Sequence, residues 1–77
     1  MRNPVKEFRE ARGMNRHRFA EKIGSNDFYI KNAETVGVLT PEGLILKIGL
    51  AFDGVDEGKL LNEYREWEVR RNENKVG

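Results

Sequence analysis

Apolar residues recur along the chain at the spacing of helix faces, and glycines and prolines separate the segments that carry them. The first segment predicts a helix over roughly residues 4–12 that Gly13 ends. The second predicts a helix that Asn15 caps and that runs to about Ile23, where Gly24 permits a tight turn. Asn3 and Pro4 are expected to start the first helix. The inner faces of the first and second helices are expected to carry Val5, Phe8, Ala11, Phe19, Ala20 and Ile23.

A third short helix is predicted over about Asp27 to Glu34, with Ser25 or Asn26 as its cap. An acidic side chain in its first turn suits the helix dipole. Residues 35–39 are predicted to form a loop. The apolar positions of the third helix are Phe28, Tyr29, Ile30 and Ala33.

Thr40 and Pro41 predict the start of a fourth helix, and Asp56 or Glu57 that of a fifth. We expect one all-α domain with a core over about residues 4–70 and a frayed tail over 71–77. The apolar positions aligned on the last two helices are Leu44, Ile45, Ile48, Phe52, Leu60, Leu61, Tyr64 and Trp67.

Composition excludes several kinds of chemistry. The chain has 77 residues, no Cys and one His, which excludes disulfides, a Cys zinc site, a Cys nucleophile and a His pair on a metal. There is no Gly-rich phosphate loop and no evident carboxylate pair in an apolar pocket, so we expect no enzyme activity, cofactor or small-molecule substrate. No apolar run is long enough for a membrane span and no signal peptide is evident, so we expect a cytoplasmic protein.

The net charge of +1 conceals an uneven distribution. Residues 1–24 carry seven basic and three acidic side chains, and His17 lies among them. Residues 25–58 carry two basic and six acidic side chains, and residues 59–77 carry five basic and four acidic. A polyanion is therefore expected to bind near the N-terminus, whereas uniform coating of nucleic acid is not favoured.

Two short helices joined by a tight glycine turn are typical of a helix-turn-helix. The residues that carry this pattern are Gly13, Phe19-Ala20, Ile23-Gly24, Ile30 and Glu34, followed by Thr40-Pro41, the stretch 44–48, Phe52 and Val55. With these residues the chain resembles the lambda-repressor-like helix-turn-helix family of phage repressors and Cro proteins over roughly residues 4–61. The resemblance implies a compact five-helix DNA-binding domain with the helix-turn-helix at helices 2 and 3 and an extended C-terminal helix. It also implies a prokaryotic cell or a phage-infected host.

In this family the second helix crosses the DNA backbone and the third enters the major groove. The resemblance therefore implies base contacts from the third helix and phosphate contacts from the start of the second. By position, the base-reading residues are Asp27, Phe28, Lys31 and Asn32, and the phosphate contacts are Asn15, Arg16, His17 and Arg18. An Asn side chain suits bidentate pairing with adenine, and a Phe ring suits the thymine methyl group.

Three features depart from the family pattern. Arg16 stands where the family often has Gln, Asp27 brings a negative charge to the groove, and the loop 35–39 carries no charge where a basic loop is common. The alternative interpretations are that Arg16, His17, Arg18 and Lys22 are a solvated helix surface, that Phe28 and Tyr29 are core, and that Asn32 is a solvated residue. Asp27 also has an alternative role as a charge at a helix N-terminus.

Five apolar residues exceed what one small core needs and are candidates for a dimer interface. They are Val36, Val38, Leu39, Tyr64 and Trp67, and each has burial in the core of its own chain as the alternative. If the dimer is symmetric, two third helices would enter successive major grooves about 34 Å apart on an inverted repeat.

Two functions follow from the pattern. The first is a sequence-specific regulator of transcription that binds double-stranded DNA as a homodimer, represses by occluding polymerase, and responds to concentration or a protein partner. The second is a protein-interaction module, of antitoxin or anti-repressor type, with weak or no DNA binding. Salt dependence separates them, because binding through several phosphate contacts weakens steeply as salt is raised.

Overall fold

The computed structural model describes residues 1–75, with side chains through Asn72, and over this range it contains five α-helices and no strand. The helices are α1 Pro4–Ala11, α2 Arg16–Ile23, α3 Asp27–Thr35, α4 Pro41–Ala51 and α5 Glu57–Lys75. The predicted all-α class with five helices is confirmed. The Cα radius of gyration is 12.0 Å, close to the value of about 11.5 Å for a compact chain of this length. Within the described range, every helix is too short or too polar to cross a lipid bilayer.

Asparagine side chains start the first three helices. The side-chain oxygens of Asn3, Asn15 and Asn26 each accept a hydrogen bond from the backbone N–H three residues later. Each bond satisfies a donor that the first helical turn leaves free. Asn26, and not Ser25, is therefore the cap of α3. Thr40 occupies the corresponding position before α4 but makes no side-chain capping bond.

The turn between α2 and α3 depends on Gly24. Gly24 has a φ of 75° and a ψ of 37°, which is the left-handed conformation. Its N–H bonds to the carbonyl of Glu21, and the N–H of Ser25 bonds to the carbonyl of Ala20 at 2.8 Å. Glycine takes this conformation without a steric penalty, so α2 ends at Ile23 and α3 begins at Asp27, after only three intervening residues.

The core forms where α5 packs against α1 and α4 and where α2 packs against α3 and α4. Its fully buried side chains include Val5, Phe19, Ile30, Leu44, Ile45, Ile48 and Tyr64. At one side, the rings of Phe8, Phe19 and Phe52 pack together with centroids 5.1 to 6.2 Å apart. Such aromatic contacts stabilise beyond the apolar area that they bury.

Tyr64 and Trp67 were candidates for a dimer interface, but the structure packs both into the core of the single chain. Tyr64 is 0% exposed and Trp67 is 7% exposed. The hydroxyl of Tyr64 donates to the carbonyl of Ala33 at 2.7 Å, and the two rings pack against each other at 5.4 Å. Their apolar character is thus explained without a second chain.

The fifth helix also continues through most of the segment predicted as a frayed tail. α5 extends to Lys75, and residues 76 and 77 lie outside the described part of the chain. Arg71 Nε donates to the carbonyl of Thr35 at 2.8 Å. This bond joins the last turns of α5 to the end of α3, a contact that the local sequence pattern does not reveal.

Candidate nucleic-acid interface

The third helix has one anchored side and one free side. Its buried residues are Ile30, Ala33 and Glu34. Asp27, Phe28 and Lys31 are exposed on the other side, and Asn32 is half-buried between the two. Phe28 is 74% exposed, so its ring adds little to the core. Of the four proposed base-reading residues, three are therefore accessible to a ligand and the fourth is partly so.

The beginning of the second helix is basic. Arg16, His17 and Arg18 follow Asn15 directly, and the first turn of α2 contains no acidic residue. The side-chain oxygen of Asn15 accepts from the N–H of Arg18 at 2.8 Å, which leaves its amide group as a donor. The positive end of a helix dipole and arginine side chains both favour an anion at this point.

Glu34 holds three helices together through a buried ion pair. The Arg9 guanidinium, from α1, donates two hydrogen bonds to the Glu34 carboxylate, at 2.7 and 3.0 Å. Arg16 Nε, from α2, donates a third at 3.2 Å. The Glu34 side chain is 0% exposed and that of Arg9 is 10% exposed. The hydrogen bond to Glu34 raises the pKa of the Arg9 guanidinium above its ordinary value.

This network restricts the orientation of the Arg16 guanidinium. The Arg16 side chain is 38% exposed, and Nε is its atom that contacts Glu34. A guanidinium presents its five N–H donors in a rigid fork, so fixing one edge also fixes the direction of the others. Sequence analysis missed the role of Arg9. The available signal was its position four residues after Val5, on the face of α1 that packs inward.

His17 lies between two carboxylates. Its Nδ1 is 3.2 Å from Asp27 Oδ1, and its Nε2 is 3.5 Å from Glu21 Oε1. The contact with Asp27 joins the start of α2 to the start of α3. Both side chains are more than half exposed, so the link adds little stability, but it places a donor beside the carboxylate that departs from the family pattern.

The loop after α3 has an apolar exposed surface. Leu39 is 101% exposed and Val36 is 53% exposed, whereas Val38 packs partly against the core. The loop itself is uncharged, but Arg71 from α5 bonds to the carbonyl of Thr35 at its start. A cation therefore lies next to this segment although the loop sequence does not supply one.

A groove of about 460 Å³ separates the α2–α3 turn from α4. One wall is formed by Gly24, Ser25, Asn26 and Tyr29, and the other by Thr40, Gly43, Leu44 and Lys47. The groove places one edge of α4 directly beside the turn between α2 and α3.

Comparison with known proteins assigns the chain to no family. No family model matches it, and it has no significant match among curated proteins or solved structures.

Proposed function

We propose that this chain binds double-stranded DNA in a sequence-specific manner through α2, the Gly24 turn and α3, and that it regulates transcription as a dimer. The observation that carries the proposal is the free side of α3, where Asp27, Phe28 and Lys31 are exposed while the opposite side is held in the core. A helix that is anchored on one side and free on the other suits the major groove, which is about 12 Å wide.

The start of α2 supplies the electrostatic part of the proposed binding. Arg18 is exposed, and Arg16 is held at one edge by Glu34 while its side chain stays partly accessible. Arginines at a helix N-terminus suit phosphate, because the guanidinium fork and the helix dipole act together. Such contacts set the register on DNA but do not read its sequence.

Four side chains of α3 are proposed to read base edges. Lys31 suits guanine, Asn32 suits adenine, and the Phe28 ring suits the methyl group of thymine. Asp27 suits the amino group of cytosine. A dimer would carry two such helices to an inverted repeat, and occupancy of that site would block polymerase.

The proposal is tested by titrating the protein into labelled duplexes of mixed sequence and following fluorescence anisotropy at several salt concentrations. We expect affinity to fall steeply with salt, because each phosphate contact contributes a slope of about 0.9 in the plot of log affinity against log salt. Arg18→Ala should weaken binding to all duplexes and reduce that slope by about 1. Arg70→Ala is the matched control, because Arg70 is an exposed arginine on α5 whose partner is Glu66 in the same helix.

Absence of binding at low salt would overturn the proposal. So would binding that neither salt nor Arg18→Ala affects. In either case the protein-interaction module becomes the better hypothesis, and capture of a protein ligand is the next experiment.

A further inference from the structure

His17 contacts two carboxylates at once, one on its own helix and one on the next. Its Nδ1 lies 3.2 Å from Asp27 Oδ1 on α3, and its Nε2 lies 3.5 Å from Glu21 Oε1 on α2. A carboxylate only accepts hydrogen bonds, and a neutral imidazole has one N–H donor and one acceptor nitrogen. The neutral ring can therefore satisfy one of the two carboxylates, whereas the protonated ring, with two N–H donors, satisfies both.

Protonation of His17 also changes the charge of the surface that is proposed to face DNA. With a neutral ring, Asp27 and Glu21 are two negative charges, and one of them faces a ring lone pair. With a protonated ring, the three side chains together carry one negative charge. Asp27 lies in the first turn of α3, so a carboxylate without a counter-charge there repels the phosphates of bound DNA. Both side chains of the His17–Asp27 contact are more than half exposed, which leaves them accessible to a ligand.

Other charges near His17 are constant where histidine titrates. Arg16 and Arg18 flank it on α2, and Lys31 lies one turn beyond Asp27 on α3. Arginine and lysine side chains stay protonated and exposed carboxylates stay ionised between about pH 5.5 and about pH 8. Histidine is the side chain that ordinarily gains or loses a proton in this range. Position 17 holds the one histidine of the chain.

We propose that His17 is a positioning residue for Asp27 and that DNA binding takes up a proton at the His17 ring. The proposal rests on the proposed function, because it concerns the same surface. The protonated ring holds Oδ1 of Asp27 and leaves Oδ2 as the acceptor for a cytosine amino group. The neutral ring leaves a negative charge of this surface uncompensated, which opposes phosphate binding. DNA binding is therefore expected to tighten as the pH falls.

The test is fluorescence anisotropy with labelled duplexes at constant ionic strength, at a lower pH of about 5.5 and a higher pH of about 8. We expect the affinity to be about two- to fivefold greater at the lower pH, the range that an exposed ion pair supports. Because the complex holds more protons than the free chain, binding weakens as the pH rises, by at most about tenfold per pH unit for one proton.

Two substitutions of His17 fix the charge at this position. His17→Gln keeps an N–H donor but carries no charge, so at both pH values it should bind as the unchanged chain does at the higher pH. His17→Arg is always charged, so at both pH values it should bind at least as tightly as the unchanged chain does at the lower pH. A pH dependence that His17→Gln retains would overturn the proposal, because another group would then take up the proton.

Asp27→Asn separates the His17–Asp27 pair from a general effect of surface charge. Asp27 lacks a counter-charge only while His17 is neutral. The affinity of Asp27→Asn relative to the unchanged chain should therefore be greater at the higher pH than at the lower pH. Asp53→Asn is the matched control, because Asp53 is an exposed carboxylate after α4, and its relative affinity should be the same at both pH values. The same result for Asp27→Asn would show that His17 acts as a surface cation alone and would overturn its positioning role.

The same titrations distinguish failure of this inference from failure of the proposed function. A chain that binds duplexes with an affinity independent of pH would remove the role of His17 and leave DNA binding in place. A chain that binds no duplex at either pH and low salt would overturn both.

Discussion

Replacing Glu34 by Gln should destabilise the fold more than any exposed charge change. The substitution keeps the shape of the side chain but removes the negative charge that accepts two hydrogen bonds from Arg9 and one from Arg16. Arg9, whose side chain is only 10% exposed, would then keep its positive charge but lose the carboxylate that neutralises it. Its remaining bond, from Nη1 to the Met14 carbonyl at 2.8 Å, does not neutralise it.

The magnitude follows from the burial of the two partners. Removing one member of a buried ion pair costs about 3–5 kcal/mol, because the other charge stays desolvated. The Arg16 contact adds less, since that side chain is 38% exposed and is screened by solvent. A domain of 77 residues has a total unfolding free energy of about 4–12 kcal/mol. The variant is therefore expected to lose a large share of the stability of the domain.

Urea denaturation followed by far-UV circular dichroism measures this effect. With a slope of about 1 kcal/mol per molar urea for a small domain, a loss of about 3–5 kcal/mol should lower the midpoint by about 3–5 M. Glu66→Gln is the control, because Glu66 pairs with Arg70 on the surface and is 52% exposed. That change should cost less than about 0.5 kcal/mol. A loss below about 1 kcal/mol for Glu34→Gln would refute the reasoning.

Two further substitutions test the turn and the core. Gly24→Ala forces a side chain into the left-handed conformation and should cost about 1–2 kcal/mol. Thermal melting should show a lower midpoint for Gly24→Ala. Gly58→Ala, in the first turn of α5, should instead raise the midpoint. Equal effects of the two substitutions would contradict the role of Gly24. Tyr64→Phe should cost about 1 kcal/mol at neutral pH, because the Ala33 carbonyl still accepts from Asn3. Burial raises the pKa of Tyr64. The stability that the neutral Tyr64 phenol contributes is therefore fully present below about pH 10, and it falls by up to about 1.4 kcal/mol per pH unit as the pH rises above about 10. Urea titrations at pH 9 to 11 should show a shallower alkaline loss in the variant, and an unchanged loss would show that another group is responsible.

Much of the fold could be predicted from the sequence because its signals are local. Asparagine before a helix, proline at its first residue and glycine after its end each act within one turn. For this reason the predicted starts at Pro4, Arg16 and Asp27 agree with the structure. The requirement for glycine at position 24 was equally local, since it concerns one φ angle.

The contacts that join distant segments could not be predicted in the same way. Arg9 and Glu34 are 25 residues apart, so the helical spacing that places Arg9 on the inner face of α1 does not identify Glu34 as its partner. In α4 the predicted inner positions Leu44, Ile45 and Ile48 are buried, but the periodicity gives no reason for the two leucines on the exposed side, Leu46 and Leu50. Tyr64 was ambiguous for a related reason, because an amphipathic stripe does not reveal whether its own chain or a second one covers it.

Selection of bound duplexes from a random DNA library tests the central claim most directly. The account predicts enrichment of an inverted repeat by the unchanged protein. Asn32→Ala should alter the preference at defined bases, whereas Arg18→Ala should weaken binding to all sequences without changing the preferred site. Failure to enrich any sequence at low salt, or an identical preferred site after Asn32→Ala and Lys31→Ala, would contradict base reading by α3.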